Sequence, residues 1–296
     1  MDEALAELVA ALPAGVVATD PALLEKYRRD RAADSSPGTP LAAVRAQTTA
    51  HVQAAVRWAA RHRVAVVPRG AGTGLSGGAT ALDGGIVLST ERMRAVHVDP
   101  VTRAATAQPG ARNAEVKAAA AAHGLWYPPD PSSFEISSIG GNVATNAGGL
   151  CCVKYGVTTD YVLGLEVVLA DGTAVRLGGA RLKDVAGLSL TKLFVGSEGT
   201  LGVITEATLR LIPAQPAPST LAATFPSTAA ATAAILAITA LVRPAMLELM
   251  DRVGRLKTPW LADQLGPDAS ALTWRIKNAL DPLGILNPGA ALPPLG

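Results

Sequence analysis

Apolar and polar positions follow two rhythms along this chain, and each rhythm predicts its own kind of element. Between Ala50 and Arg63 the apolar residues Val52, Ala55, Val56 and Ala59 return at helical spacing, which places them on one face of an amphipathic helix. The run VAVVP from Val64 to Pro68 follows as a short buried strand, and GGIVLS from Gly84 to Ser89 is a second strand of the same kind. The opening MDEALAELVAALPAG reads as another short amphipathic helix. Residues 1 to about 90 therefore predict a small α/β unit with a glycine-rich loop between its strands.

The pattern changes after residue 90. RAVHVD and RAATAQPG lead into a helix from about Asn113 to His123, which Gly124 is placed to end. YVLGLEVVLADGTAVRL predicts two strands joined by an Ala-Asp-Gly turn, and GVITEATLRLIP predicts a strand from Gly202 to Pro213. This stretch, about 91–213, reads as a second, mixed α+β unit. QPAPS at Gln215–Ser219 reads as a linker. Beyond it, strand-like runs at Leu221–Phe225 and Met246–Met250 flank an Ala-rich helix from Ala229 to Val242, and a helical tail follows. That helix falls short of the ~20 apolar residues a bilayer crossing needs, so a core helix is expected.

Composition narrows the function classes. With 49% hydrophobic and 17% charged residues over 296 positions, the chain is globular. A net charge of +2 without a basic stripe or acidic tail argues against a nucleic-acid partner and leaves small anionic ligands open. The two cysteines, Cys151 and Cys152, are adjacent and cannot build a disulfide framework, which fits a reducing compartment. Asp2, Glu3 and Glu7 stand where a secretory signal would carry positive charge, so a cytoplasmic location is expected.

Three loops carry candidate chemistry. The first is PRGAGTGLSGG, Pro68–Gly78, directly after a predicted strand. Its residues Pro68, Arg69, Gly70, Ala71, Gly72, Thr73, Gly74, Leu75, Gly77 and Gly78 are candidates for ligand binding. Backbone free of Cβ atoms can approach an anion closely and turn successive N–H groups toward it. A phosphate-binding P-loop would need a Gly-Lys-Ser/Thr ending, and no lysine lies between Lys26 and Lys117. A Rossmann reading, for which Glu91 could be aligned with the ribose-binding acid, is set aside. The second loop is DPSSFEISSIGGNVATNAGG, Asp130–Gly149, whose Gly-Gly pairs, amides and hydroxyls offer donors to phosphate and carbonyl oxygens. The third is GSEGTLG within Leu190–Pro213, just before a strand. Two such loops about 60 residues apart suggest a ligand held between two units.

The three motifs, in this order and spacing over residues 40–213, resemble the FAD-binding domain of the FAD-linked oxidase family, in particular its glycolate oxidase and D-lactate dehydrogenase branch. LDPLGILNPG, Leu280–Gly289, resembles the family's closing motif. The resemblance implies an α+β, PCMH-type FAD-binding fold of two α+β subdomains, about 41–90 and 91–213, with FAD extended between them. It further implies an N-terminal helical segment at 1–40, the start of a truncated substrate domain at 214–252 and a tail at 253–296 that returns to the flavin domain. Pro68–Gly78 would wrap the pyrophosphate. Pro131, Ser132, Ser133, Gly141, Asn142, Thr145 and Asn146 would line the flavin and its phosphates, while Gly199, Val203 and Ile204 would reach its adenine or ribitol side. Asn287 would approach the ring from the tail. No histidine lies between His62 and His97, so the FAD is expected to be non-covalent.

The implied reaction is oxidation of a small-molecule D-2-hydroxy acid of the lactate or glycolate type, with an unspecified electron acceptor. The histidine motifs that the family's substrate domain carries do not occur here, and the resemblance jumps near Arg252 and Val253. No catalytic residue and no metal ligand is therefore assigned. His51, His62, His97 and His123 read as surface or capping residues, and Lys183, Asp184 and Lys192 as solvated or capping charges. The cysteine pair reads as small buried residues near the flavin. Alternative readings are a non-catalytic flavin-binding subunit and an inactive deletion remnant. A helix that has lost its packing partner also predicts self-association or a partner subunit.

Overall fold

A computed structural model describes residues 3–32, 36–217, 219–249, 269 and 271–288. The first sheet contains β1 (Val17–Ala18), β2 (Ala42–Arg45), β3 (Val66–Arg69) and β4 (Ile86–Ser89), in the order β1-β2-β4-β3. The strands β2, β4 and β3 run parallel, with Ala42 and Val66 both opposite Ile86. A sheet covered on both faces needs apolar residues on both, which explains why Ile86, Val87 and Leu88 are all buried.

Helices α1 (Glu3–Ala11), α2 (Pro21–Arg28) and α3 (Thr49–His62) accompany this sheet. The predicted helical stripe of α3 is the face that packs: Val52, Ala55, Val56, Trp58 and Ala59 are buried. Thr48 caps its start by accepting the His51 N–H, and Arg63 ends it in the left-handed region at φ 53°. The Trp58 indole donates to the Ala4 carbonyl at 2.7 Å and ties α1 to α3. Glu7 adds ion pairs to Arg61 and His62.

The second sheet is antiparallel, in the order β5-β6-β10-β8-β9, from β5 (Val96–Asp99), β6 (Ala104–Ala107), β8 (Val162–Val168), β9 (Ala174–Gly178) and β10 (Val203–Arg210). A small pair, β7 (Leu125–Trp126) with β11 (Ile212–Pro213), closes its end. Helices α4 (Asn113–Ala121), α5 (Ile139–Ala144), α6 (Cys152–Tyr155) and α7 (Leu190–Phe194) join it. Its core holds Val116, Tyr127, Ile139, Val143, Phe194, Leu209 and their neighbours. The chain is thus an α+β fold of two main sheets, with one core cluster at the first sheet that takes in Val168 and Val203 of the second, and another within the second.

Several expectations need correction. Leu221–Phe225 carries no strand, and neither do the described residues 246–249; a strand persists only where a ladder partner satisfies its backbone, and no neighbouring strand meets either run among the described residues. The Ala-rich helix forms as α8 (Thr228–Leu241), yet only Ala231 in it is buried. It is not a core helix. Helix α4 stops at Ala121 rather than His123, and Gly124 turns the chain at φ 67°. Residues Gly72–Gly77 fall at the G-x-G-x-x-G spacing of a Rossmann fingerprint. A Rossmann site is excluded because no helix follows them: the chain runs from Gly70 to Gly85 without one and enters β4 directly. Arg252 and Val253 lie outside the described residues. Among the described residues, no helix is long and apolar enough to cross a membrane.

Candidate functional site

The three loops meet in a cleft of about 520 Å³, within the usual range for small-molecule sites. The strand β3 delivers the first loop: Pro68, Arg69, Gly70, Ala71, Gly72, Thr73, Gly74, Leu75 and Gly78 all line the cleft. From the second loop come Pro131, Ser132, Ser133, Gly141, Asn142, Thr145 and Asn146, and from the third Gly199, Val203 and Ile204. Two expected residues do not line it. Gly77 turns the first loop at φ 83° and accepts the Thr80 N–H. Asn287 sits behind the loops, where its side-chain amide donates to the carbonyls of Gly78 at 2.8 Å and Glu198 at 2.5 Å.

Close backbone approach holds the loops against one another. The hydroxyl of Ser138 caps α5 by accepting the Gly141 N–H at 3.3 Å, and also accepts the Ala71 N–H from the first loop at 3.2 Å. Gly199 turns the third loop at φ 76°, and a Cβ there would lie 2.8 Å from Cγ of Pro68. Only glycine allows both the turn and the contact. Asn142 is buried beside this junction, and its Nδ2 has no hydrogen-bond partner. An unpaired buried amide in a cleft wall is a donor in want of an acceptor.

The cleft's charges are mixed. Arg69 is almost fully buried; its guanidinium donates to the Ala79 carbonyl at 2.9 Å, so it braces the loop from inside rather than standing at its rim. Burial lowers its pKa, against the pull of Asp30. The Asp30 carboxylate accepts from Ala32 and Ala79 N–H groups and from the Thr80 hydroxyl. Burial, and then the Asp30 charge, push the Glu198 carboxyl above the usual carboxylate range. Glu91 is outside the cleft, where it accepts from the Tyr27 hydroxyl at 2.7 Å and pairs with Arg45 at 3.0 Å. Burial, aided by this acceptor, raises Tyr27 to about 12.

The charged and capping residues of the cleft that sequence reasoning missed include Asp30, Arg31, Ser138 and Glu198. Ser138 and Glu198 lay inside the motifs already singled out, and the Ser three positions before Gly141 is an N-cap signal. Asp30 and Arg31 come from the end of α2, about 40 residues upstream, and carry no local signature. None of the four histidines lines the cleft. Both cysteines are free. Cys151 donates to Asp130 at 3.1 Å, and burial with that carboxylate raises its thiol to about 12. Cys152 accepts the Gly149 N–H. A larger depression of about 890 Å³ between α3, the β8–β9 turn and residues 279–283 contains none of the loop residues.

Comparison with known proteins places the chain among FAD-binding oxidoreductases. The FAD binding domain family model matches residues 40–178, and the model for FAD linked oxidases, C-terminal domain, matches residues 253–291. The chain is 46% identical over 215 residues to the glycolate oxidase subunit GlcD of Bacillus subtilis, covering 72% of this chain and 46% of that protein. It is 43% identical over 209 residues to a D-lactate dehydrogenase of Archaeoglobus fulgidus, covering 71% of this chain and 47% of that protein. The chain thus spans less than half the length of these relatives. Among solved structures, an alkyldihydroxyacetonephosphate synthase aligns with a TM-score of 0.64 at 25% identity, over 72% of this chain and 40% of that one. A 6-hydroxy-D-nicotine oxidase from Arthrobacter nicotinovorans shares the fold, with a TM-score of 0.59 at 21% identity over 69% of this chain and 43% of that one.

Proposed function

The chain belongs to the FAD-linked oxidase family, and on that premise we propose that its three-loop cleft holds FAD non-covalently for the oxidation of a D-2-hydroxy acid. The observation that carries this reading is the cradle itself: glycine backbone from all three loops faces one cleft, beside the unpaired Nδ2 of Asn142. The residues fit a dinucleotide. The N–H groups of Gly70, Gly72, Thr73 and Gly74 would surround the pyrophosphate, and the Ala71 and Gly141 N–H groups, now held by Ser138, would share that work. Asn142 would donate to an oxygen of the cofactor, while Val203 and Ile204 would give it an apolar wall. Bound flavin supplies a two-electron acceptor for the hydride on the substrate's Cα.

Removal of the hydroxyl proton needs a base, and no histidine lines the cleft. That observation favours a second reading: a flavin-binding subunit whose partner completes the reaction. The apolar residues of α8 suit an association surface in either case, since Leu236 is 65% and Leu241 86% exposed. One experiment separates the readings. The purified chain is expected to show flavin absorbance, or to acquire it on titration with FAD; D-lactate or glycolate is then added anaerobically. Bleaching supports an enzyme, a stable yellow protein that bleaches only once a partner is added supports the subunit, and a colourless protein that takes up no FAD overturns both.

A further inference from the structure

We propose that residues 271–288 act as a clasp that sets the spacing of the flavin cleft, with Lys277, Asp281 and Asn287 as positioning residues. The inference rests on the cleft being the flavin site, but its structural basis is independent of any ligand.

The clasp begins with a buried ion pair. Lys277 is 5% and Asp281 1% exposed, one helical turn apart, and they form a direct salt bridge. The ammonium also donates to the carbonyls of Thr200 at 2.7 Å and Leu286 at 2.8 Å, so its three protons are all used. The carboxylate accepts the N–H groups of Ile285 at 3.1 Å and Leu286 at 2.9 Å. A buried pair of this kind persists only when its remaining donors and acceptors are satisfied, and here they are satisfied largely by folding residues 282–286 back over the end of the helical segment 271–280. Gly284, at φ 63°, makes the turn.

The returning chain then meets both halves of the cleft. Leu286 bridges Val66 on the open edge of β3, with Val66 N–H donating to Ile285 and Asn287 N–H donating to Val66, each at 2.6 Å. Asn287 adopts a left-handed φ of 41°, which asparagine tolerates. In that conformation its side-chain amide spans the carbonyls of Gly78 and Glu198, the first loop and the third. Lys277 holds Thr200, two residues beyond Glu198. The tail therefore joins loops that arise from different sheets, and the amide of Asn287 is committed to that join rather than to a bound ring.

The test uses the full chain with Asn287→Ala, Lys277→Met and the double variant. Two readouts are taken: amide hydrogen exchange of the ligand-free proteins, and the FAD dissociation constant from flavin fluorescence. In Asn287→Ala, exchange is expected to quicken at Gly70–Gly78 and Ser197–Thr200 while α3 and β2 stay protected, and FAD to bind roughly tenfold more weakly, the loss of two ordinary hydrogen bonds. The double variant is expected to bind no more weakly than Lys277→Met alone, because both act through one tether. Unchanged loop exchange in Asn287→Ala overturns the clasp, as does loosened exchange with unchanged flavin affinity. If the parent chain bound no flavin, the reading of the cleft would fail, while the ligand-free exchange comparison would still decide whether the tail holds the loops.

Discussion

Glu198 carries the sharpest consequence at the scale of one residue. Its carboxyl faces the cleft with a raised pKa, caused first by burial and then by Asp30. Between the ordinary carboxylate value and the raised one, the folded chain keeps a proton that the unfolded chain releases. The resulting stabilisation is present below the ordinary carboxylate value and is lost as pH rises through the raised one. Glu198→Gln should accordingly be more thermostable than the parent at neutral pH and equal to it in acid. An anion beside a pyrophosphate also repels it, so the variant should bind FAD more tightly at neutral pH, by about threefold or more, with the advantage vanishing in acid. Fluorescence titrations at several pH values measure this directly. Gly199 makes the complementary case. Gly199→Ala must hold a Cβ at φ 76° and 2.8 Å from the Pro68 ring, at a cost of about 1–2 kcal/mol or more, seen as a lower melting temperature and weaker flavin retention. The glycines were legible in the sequence because their function is the absence of a side chain. Asp30 was not, since its role comes from where α2 ends in space.

At the scale of elements, α3 and α8 show what periodicity can and cannot say. Both were predicted as helices and both formed. In α3 the apolar stripe was buried, and Trp58 tied the helix to α1. Trp58→Ala should cost about 3–5 kcal/mol, enough to lower the melting temperature by several degrees in a scanning calorimeter. In α8 the apolar residues met little: Leu236, Ile238 and Leu241 stand exposed. If that surface drives self-association, Leu236→Glu with Leu241→Glu should shift sedimentation toward the monomer while leaving flavin absorbance unchanged. An unaltered distribution would remove α8 from the interface. The runs at Leu221–Phe225 and 246–249 teach the same lesson for strands. Apolar, β-branched composition makes a segment competent for a sheet, but only a neighbouring strand turns competence into structure.

At the scale of the molecule, the cleft lies where the two sheets approach each other, so a ligand filling it bears on both cores. At a free FAD concentration of 100 times the dissociation constant, binding should add about 2.7 kcal/mol to stability and raise the melting temperature by roughly 5 °C or more. Separate melting of the two sheets, only one of them shifted by FAD, would count against a shared site.

By itself, the sequence determined the local matters: which segments are competent for helix or strand, where the backbone needs glycine, and that a P-loop is ruled out by a missing lysine. Those are set by side-chain volume and by residues within a few positions of one another. Tertiary structure decided the rest. It brought Asp30 and Arg31 to the cleft, turned Arg69 inward, and spanned 209 residues of chain with the bond from Asn287 to Gly78. It also left α8 exposed. Such outcomes depend on which surfaces find each other in space, because burial and the satisfaction of polar groups are properties of the folded neighbourhood and not of the segment.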